Sequence, residues 1–222
     1  MTGGRMTITY PRAFPSGSWF TEVEFTLSES STFNVLQNGA VQTMEYGESI
    51  WLAKYTTKPL YEATMRHAWQ SWWLSLRGGK TFLGYDPEKV YPAFYGASVL
   101  SLTKAGGGAF TGAAVLNSYT ATTVGLLGLP ASYKATSGDM LSFPWNGVKA
   151  LHMVVEDATA NGSGAVTLSV WPPVRSSPAP GASAVVDMVR PSCVMKIRPG
   201  STSAVASKSS PPATFEAAQT LI

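Results

Sequence analysis

The chain has 222 residues and a net charge of +3, and only 13% of its residues are charged, against roughly 25% in an average soluble domain. A hydrophobic content of 45% excludes an intrinsically disordered chain, and the lack of any Lys/Arg run excludes a nucleic-acid-binding protein that depends on a basic cluster. The single cysteine, Cys193, excludes an intramolecular disulfide, and the apolar stretches are too short for a membrane-spanning helix. We therefore expect no membrane insertion and folding in the cytoplasm.

The first fifty residues are typical of antiparallel strands. Apolar and polar residues alternate over residues 19–27, which predicts a strand with one buried face. Asn38-Gly39 lies between two apolar runs and predicts a tight hairpin, because both central residues of that turn need positive φ. Residues 49–56 are predicted as another strand.

One amphipathic helix is predicted over residues 60–76, with Pro59 in its first turn and Gly78-Gly79 ending it. Its apolar stripe recurs at steps of three and four residues and consists of Tyr61, Met65, Ala68, Trp69, Trp72 and Leu76. Tryptophans at this spacing could form a sugar-binding platform, but packing of the helix on the sheet explains them better. Trp73 lies off the stripe and is the candidate contact to a partner.

From residue 92 onward the chain is rich in Gly, Ala, Ser, Thr and Val. Short strands with glycine-rich turns between them indicate a small barrel or sandwich. The predicted strands are 98–103, 122–127, 139–143, 149–155 and 165–171, followed by 184–189, 192–198 and a terminal strand within 213–222.

These elements predict an all-β, mainly antiparallel protein with one amphipathic α-helix. We expect a β-sandwich-like domain formed by residues 1–91 and 185–222, into which residues 92–184 are inserted as a small β-barrel or sandwich domain. The division follows the composition, since 15 of the 25 aromatic residues and the helix fall in the first ninety residues.

No catalytic, metal or cofactor site is predicted. His67 has no second ligand one helical turn away, and His152 lies within a predicted strand, so both are interpreted as structural. Cys193 is interpreted as a small buried hydrophobic residue. The sequence neighbours Glu156-Asp157 and Asp86-Pro87-Glu88 should point apart, although carboxylates from distant strands could still form a pair.

Three stretches together resemble the distal tail or minor tail proteins of long-tailed bacterial viruses. The first contains the helix AWQSWWLSLRGG (68–79) and the segment TFLGYDP (81–87). The second contains SGDML (137–141), and the third contains WPPVR (171–175). The likeness extends over roughly residues 19–198.

The resemblance implies a structural protein of the virion without catalytic residues. Six copies would form a ring at the tail tip that joins the tail tube protein to the hub or baseplate protein. The tape-measure protein and then DNA would pass through the bore without specific nucleic-acid binding. Low charge agrees with this expectation, since subunit interfaces contain few charged residues.

Two alternatives stay open on the sequence alone. The inserted domain could bind saccharide or another host-surface component, with Trp145 or Trp171 as the stacking residue. A catalytic site could also be assembled from distant residues, which would require converging carboxylates, or His67 or His152 beside a partner.

Overall fold

A computed structural model describes residues 7–17, 20–28, 31–45, 47–203 and 212–221. The chain is mostly antiparallel β-structure with one α-helix, which confirms the predicted fold class. The strands are β1 (Phe20–Leu27), β2 (Ser31–Val35), β3 (Val41–Glu45), β4 (Trp51–Thr57), β5 (Phe82–Gly84), β6 (Ala113–Tyr119), β7 (Thr123–Leu127), β8 (Lys134–Ala135), β9 (Met140–Trp145), β10 (Val148–Val154), β11 (Ala158–Thr159), β12 (Val166–Trp171), β13 (Val185–Asp187), β14 (Cys193–Ile197) and β15 (Thr214–Gln219). The helix α1 spans Ala63–Leu76.

Five strands form a curled sheet in the order β1-β4-β15-β14-β5. All neighbours are antiparallel. In β4 the residues Trp51, Ala53 and Tyr55 are buried while Leu52 and Lys54 are exposed, because successive side chains on a strand point to opposite faces. The sheet therefore has one face toward a core and one face toward solvent.

Helix α1 covers the inner face of this sheet. Trp69, Trp72 and Leu76 are its buried residues. Phe215 of β15 lies at the centre of the cluster beneath them, stacked on Tyr55 with ring centroids 5.1 Å apart. The prediction that the tryptophan stripe packs against the sheet is confirmed.

The helix begins later than predicted, at Ala63 rather than at residue 60, with Glu62 at its N-cap. The Arg66 guanidinium instead donates to the backbone oxygens of Leu60 and Tyr61, at 2.8 and 2.6 Å. These contacts hold the preceding segment as an irregular turn, so Pro59 does not occupy the first helical turn. The assignment of Tyr61 to the buried stripe was wrong, since this side chain is exposed.

The middle of the chain forms a closed six-stranded barrel in the order β10-β12-β7-β6-β13-β9. Its interior is filled by large apolar side chains, among them Phe143, Leu168 and Val124. β13 pairs with β6 and β9, so the barrel extends to Asp187. The division of the sequence into domains at 92–184 stays a prediction.

The strand predicted at 98–103 was wrong, because Gly96–Ser101 forms a 3₁₀ helix. The Ser98 hydroxyl donates to the Tyr95 oxygen at 2.6 Å, and the Ser101 hydroxyl donates to the Ser98 oxygen at 2.7 Å. Serine hydroxyls that bond to the backbone three residues earlier favour helical turns over strands.

The curled sheet and the barrel share contacts at β10 and β14. Trp51 Nε1 donates to the Leu151 oxygen at 2.8 Å, and the Ser192 amide donates to Ser142 Oγ at 3.1 Å. Leu151 also packs into the core beneath α1. Buried contacts of this kind join the two units into one packed body.

Candidate functional site

A separate hairpin lies between β1 and β4. Strands β2 and β3 pair only with each other, in register from Ser31↔Glu45 to Val35↔Val41. The hairpin predicted from Asn38-Gly39 is confirmed, but its turn differs from the predicted one. Gly39 has φ +81° while Asn38 is not among the residues with positive φ, and the Leu36 amide donates to the Ala40 oxygen to close a longer loop. Every residue from 31 to 45 is exposed.

This hairpin exposes more apolar surface than an isolated element should. Its large exposed apolar side chains are Phe33 (70%), Val35 (65%), Leu36 (46%), Val41 (62%) and Met44 (70%). A two-stranded hairpin is at best marginally stable alone in water. Phe33, Val35 and Val41 share one face of the hairpin and Met44 lies on the other. Exposed apolar surface marks an interaction surface, so the hairpin is the first candidate contact region.

The hairpin lacks the lysines and prolines that often discourage edge pairing. Residues 31–45 contain no Lys, Arg or Pro, the residues with which proteins commonly protect strand edges. In the curled sheet, Arg12 covers the β5 edge: its amide donates to the Thr81 oxygen and its oxygen accepts from the Leu83 amide. Within the described part of the chain, β1 is the open edge of this sheet.

A groove of about 620 Å³ forms the second candidate region. It lies between the C-terminal half of α1 and the end of β14, and its apolar walls include Trp73, Leu74 and Ile197. The cations Arg77, Lys80 and Arg198 line it as well. We call this feature the α1–β14 groove.

Trp73, the predicted partner contact, lies in the wall of the α1–β14 groove. Its ring centroid is 6.0 Å from that of Trp69 and 6.0 Å from that of Phe215, so part of the side chain belongs to the core. Trp73 is therefore half-buried, with the remainder facing the groove. Its role as a partner contact stays a prediction.

The two tryptophans considered for saccharide stacking have opposite environments. Trp145 is buried, donates from Nε1 to the Pro178 oxygen at 2.7 Å and lies beneath the Arg175 guanidinium. Trp171 is 41% exposed and lines a cleft of about 340 Å³ with Glu45 and Glu48. Glu48 is ion-paired with Arg175.

His67 and His152 occupy sites that differ in solvent exposure. His67 is exposed on α1. His152 is buried against Phe143, with ring centroids 5.2 Å apart, and its Nδ1 lies 2.7 Å from the Pro172 oxygen. Burial lowers the pKa of His152 to about 4, so the ring is neutral at pH 7 and Nδ1–H is the donor to that oxygen.

Cys193, Asp86 and Asp139 also have structural surroundings. Burial raises the pKa of the Cys193 thiol far above its ordinary value, which leaves the thiol protonated and unreactive. The Asp86 carboxylate accepts from the Glu88 amide and caps a 3₁₀ turn. Buried Asp139, which the sequence did not single out, accepts from the Ala93 and Thr136 amides at 2.7 and 2.9 Å.

Among the described residues, no cluster of three or more His, Cys, Asp or Glu side chains is arranged to hold a metal ion. None of the described helices is long and apolar enough to cross a membrane. No protein-family model matches the chain, and a search of curated proteins gives no match. The function is therefore inferred from the surfaces of the molecule.

Proposed function

We propose that this protein is a structural component of the tail tip of a long-tailed bacterial virus. Copies of the chain would assemble into a hexameric ring that connects the tail tube protein to the hub or baseplate protein. The tape-measure protein would pass through its bore. The number of copies and the named partners rest on the sequence resemblance.

The exposed hairpin of β2 and β3 is the observation that supports assembly. Burying apolar surface stabilises a protein by about 25 cal/mol per Å². Leaving Phe33, Val35 and Met44 exposed therefore costs a monomer this free energy. A subunit interface removes that cost. Contacts with two ring neighbours and two axial partners would cover much of the surface, and subunit interfaces contain few charged residues. The 13% charged residues of this chain agree with that arrangement.

Polar substitution in the hairpin tests this proposal. Phe33→Ser combined with Met44→Ser should abolish ring formation, because it removes two of the largest exposed apolar side chains. The melting temperature should change little, since both residues lie outside the two cores. Negative-stain electron microscopy and thermal denaturation of the purified protein measure these two effects.

Leu127→Ser is the matched control, because Leu127 is 39% exposed on the barrel. Rings should persist in this variant. Rings that survive the double hairpin substitution, or that are lost equally in the Leu127 variant, contradict a role for the hairpin in assembly.

A saccharide-binding role is the second candidate, and the exposure of Trp171 favours it. An exposed tryptophan face beside carboxylates suits stacking against a sugar ring together with hydrogen bonding to its hydroxyls. Glycan-array binding that is lost in Trp171→Ala would support this function. Binding to no glycan, or binding unchanged in that variant, would exclude Trp171 as the stacking residue.

A further inference from the structure

The α1–β14 groove leaves apolar surface exposed in a concavity. Trp73, Leu74 and Ile197 contribute apolar surface to it, and Leu74 is 54% exposed although it lies within a helix. Apolar surface in a concavity gains free energy when an apolar group displaces its water. The fitting occupant therefore presents apolar side chains on a narrow protruding element.

The hairpin of β2 and β3 has this form. It is two strands wide, it carries Val35, Leu36 and Val41 next to its turn, and it is exposed on both faces. It does not pack into the groove of its own chain, because all of its residues are exposed. One chain thus carries an apolar protrusion and an apolar concavity, and no described residue covers either of them.

The sequence segments that contain the hairpin and helix α1 have net charges of opposite sign. Residues 13–53 contain five glutamates and no Lys, Arg, His or Asp, which gives −5. Residues 54–80 contain five Lys or Arg and one glutamate, which gives +4. Of these charges, the hairpin itself carries Glu45, and the groove carries Arg77 and Lys80.

Two of the glutamates have ion-pair partners within the chain. Glu24 pairs with Lys54 and Glu48 pairs with Arg175. Among the described residues, Glu45 of the hairpin and Arg77 of the groove have no salt-bridge partner. Opposite charges on two regions of one chain attract copies in a head-to-tail orientation and suppress head-to-head pairing.

We propose that the hairpin of residues 31–45 of one copy lies in the α1–β14 groove of the next copy. Because the two contacting surfaces differ, the interface is heterologous, and repeated contacts close into a ring when the rotation permits. This inference rests on the proposed ring and identifies the surfaces that would form it. It also gives Trp73 a defined contact, the apolar side chains of the neighbouring hairpin.

Site-specific disulfide cross-linking tests the contact. Leu36→Cys places a thiol beside the hairpin turn, and Leu74→Cys places one in the groove. The native Cys193 is fully buried and does not compete in the folded protein. The two variants, each with one introduced cysteine and an affinity tag on only one of them, are mixed in equal amounts and oxidised under native conditions.

We expect a cross-linked dimer that contains one copy of each variant. The matched control replaces Leu74→Cys with Leu127→Cys, an exposed leucine on the barrel, and should give at least tenfold less mixed dimer. A chain carrying both Leu36→Cys and Leu74→Cys should give a ladder of covalent oligomers, because each copy then contributes both halves of the contact.

Mixed dimer at the level of the control overturns the inference. If rings are present by electron microscopy in that case, the ring proposal stands and its interface lies elsewhere. If the protein is also monomeric at every concentration, both the inference and the ring proposal fail.

Discussion

The indole of Trp51 donates to the backbone oxygen of Leu151 at 2.8 Å and so joins the curled sheet to the barrel. The two residues are one hundred positions apart, and both are buried. Trp51 also packs against Phe25, with ring centroids 5.4 Å apart. A single side chain thus couples β1, β4 and β10.

Trp51→Phe removes this hydrogen bond and keeps an aromatic ring in the core. We expect the free energy of unfolding to fall by roughly 1–2 kcal/mol, since the variant loses a buried hydrogen bond and leaves the Leu151 oxygen with one partner fewer. Urea denaturation followed by circular dichroism measures the change. The exposed Trp171→Phe serves as the control and should stay within about 0.5 kcal/mol of the parent protein.

His152 should make the stability depend on pH. Its folded-state pKa of about 4 lies below the ordinary value of 6.5, because burial and the nearby Arg175 both disfavour the charged ring. Between these values the unfolded chain binds a proton that the folded chain excludes, so stability falls as pH decreases. The full free energy of unfolding is therefore retained above pH 6.5, and up to about 3 kcal/mol of it is lost by pH 4.

Urea midpoints at pH 7 and pH 5 measure this effect. His152→Phe should be less stable at pH 7, because the Pro172 oxygen loses its donor, but it should lose less stability between the two pH values. His67→Gln, at an exposed position, should retain the full pH dependence. Equal pH dependence in His152→Phe and the parent protein would contradict this assignment.

Glycine is required at position 164, because the backbone of Leu129 passes close to it. Gly164 has φ +74°, and a Cβ added there would lie 2.1 Å from the Leu129 oxygen. Gly147 has φ +77° but open space around it. Gly147→Ala should therefore cost about 1–2 kcal/mol from the backbone conformation alone, whereas Gly164→Ala should cost about 3 kcal/mol or more, because the backbone must also shift. Comparable losses in the two variants would show that the contact with Leu129 is easily relieved.

Arg77→Glu should weaken self-association through the α1–β14 groove. The substitution places a carboxylate where the neighbour's hairpin, which carries Glu45, would approach. Lys104→Glu makes the same change in net charge on the barrel side of the molecule and should have little effect. Sedimentation velocity at low and high salt measures the difference, which should shrink as salt screens the charges. Equal effects of the two substitutions would place the charged contact outside the groove.

Local sequence patterns predicted most of the secondary structure. Asn38-Gly39 located the hairpin turn, and the spacing of Trp69, Trp72 and Leu76 located the buried face of α1. These signals are short-range, since the turn depends on adjacent residues and the helical face on residues three or four apart. The strand predicted at 98–103 failed because Ser98 and Ser101 bond to nearby backbone oxygens, a competition that apolar alternation does not reveal.

The interaction surfaces could not be predicted in the same way. Alternation within residues 31–45 indicates strands but does not determine whether they join a sheet or remain outside it. The groove brings Trp73 together with Ile197, and no local pattern relates such distant positions. The charge difference between residues 13–53 and 54–80 is visible in the sequence, but its significance depends on where the fold places β1, the hairpin and α1.

Hydrogen–deuterium exchange of residues 31–45 at increasing protein concentration tests most directly whether another copy covers the hairpin. We predict that these amides exchange rapidly in dilute protein and become protected as copies associate, together with the amides at the end of α1. Rapid exchange of the hairpin at every concentration, including those at which assemblies form, would contradict the account.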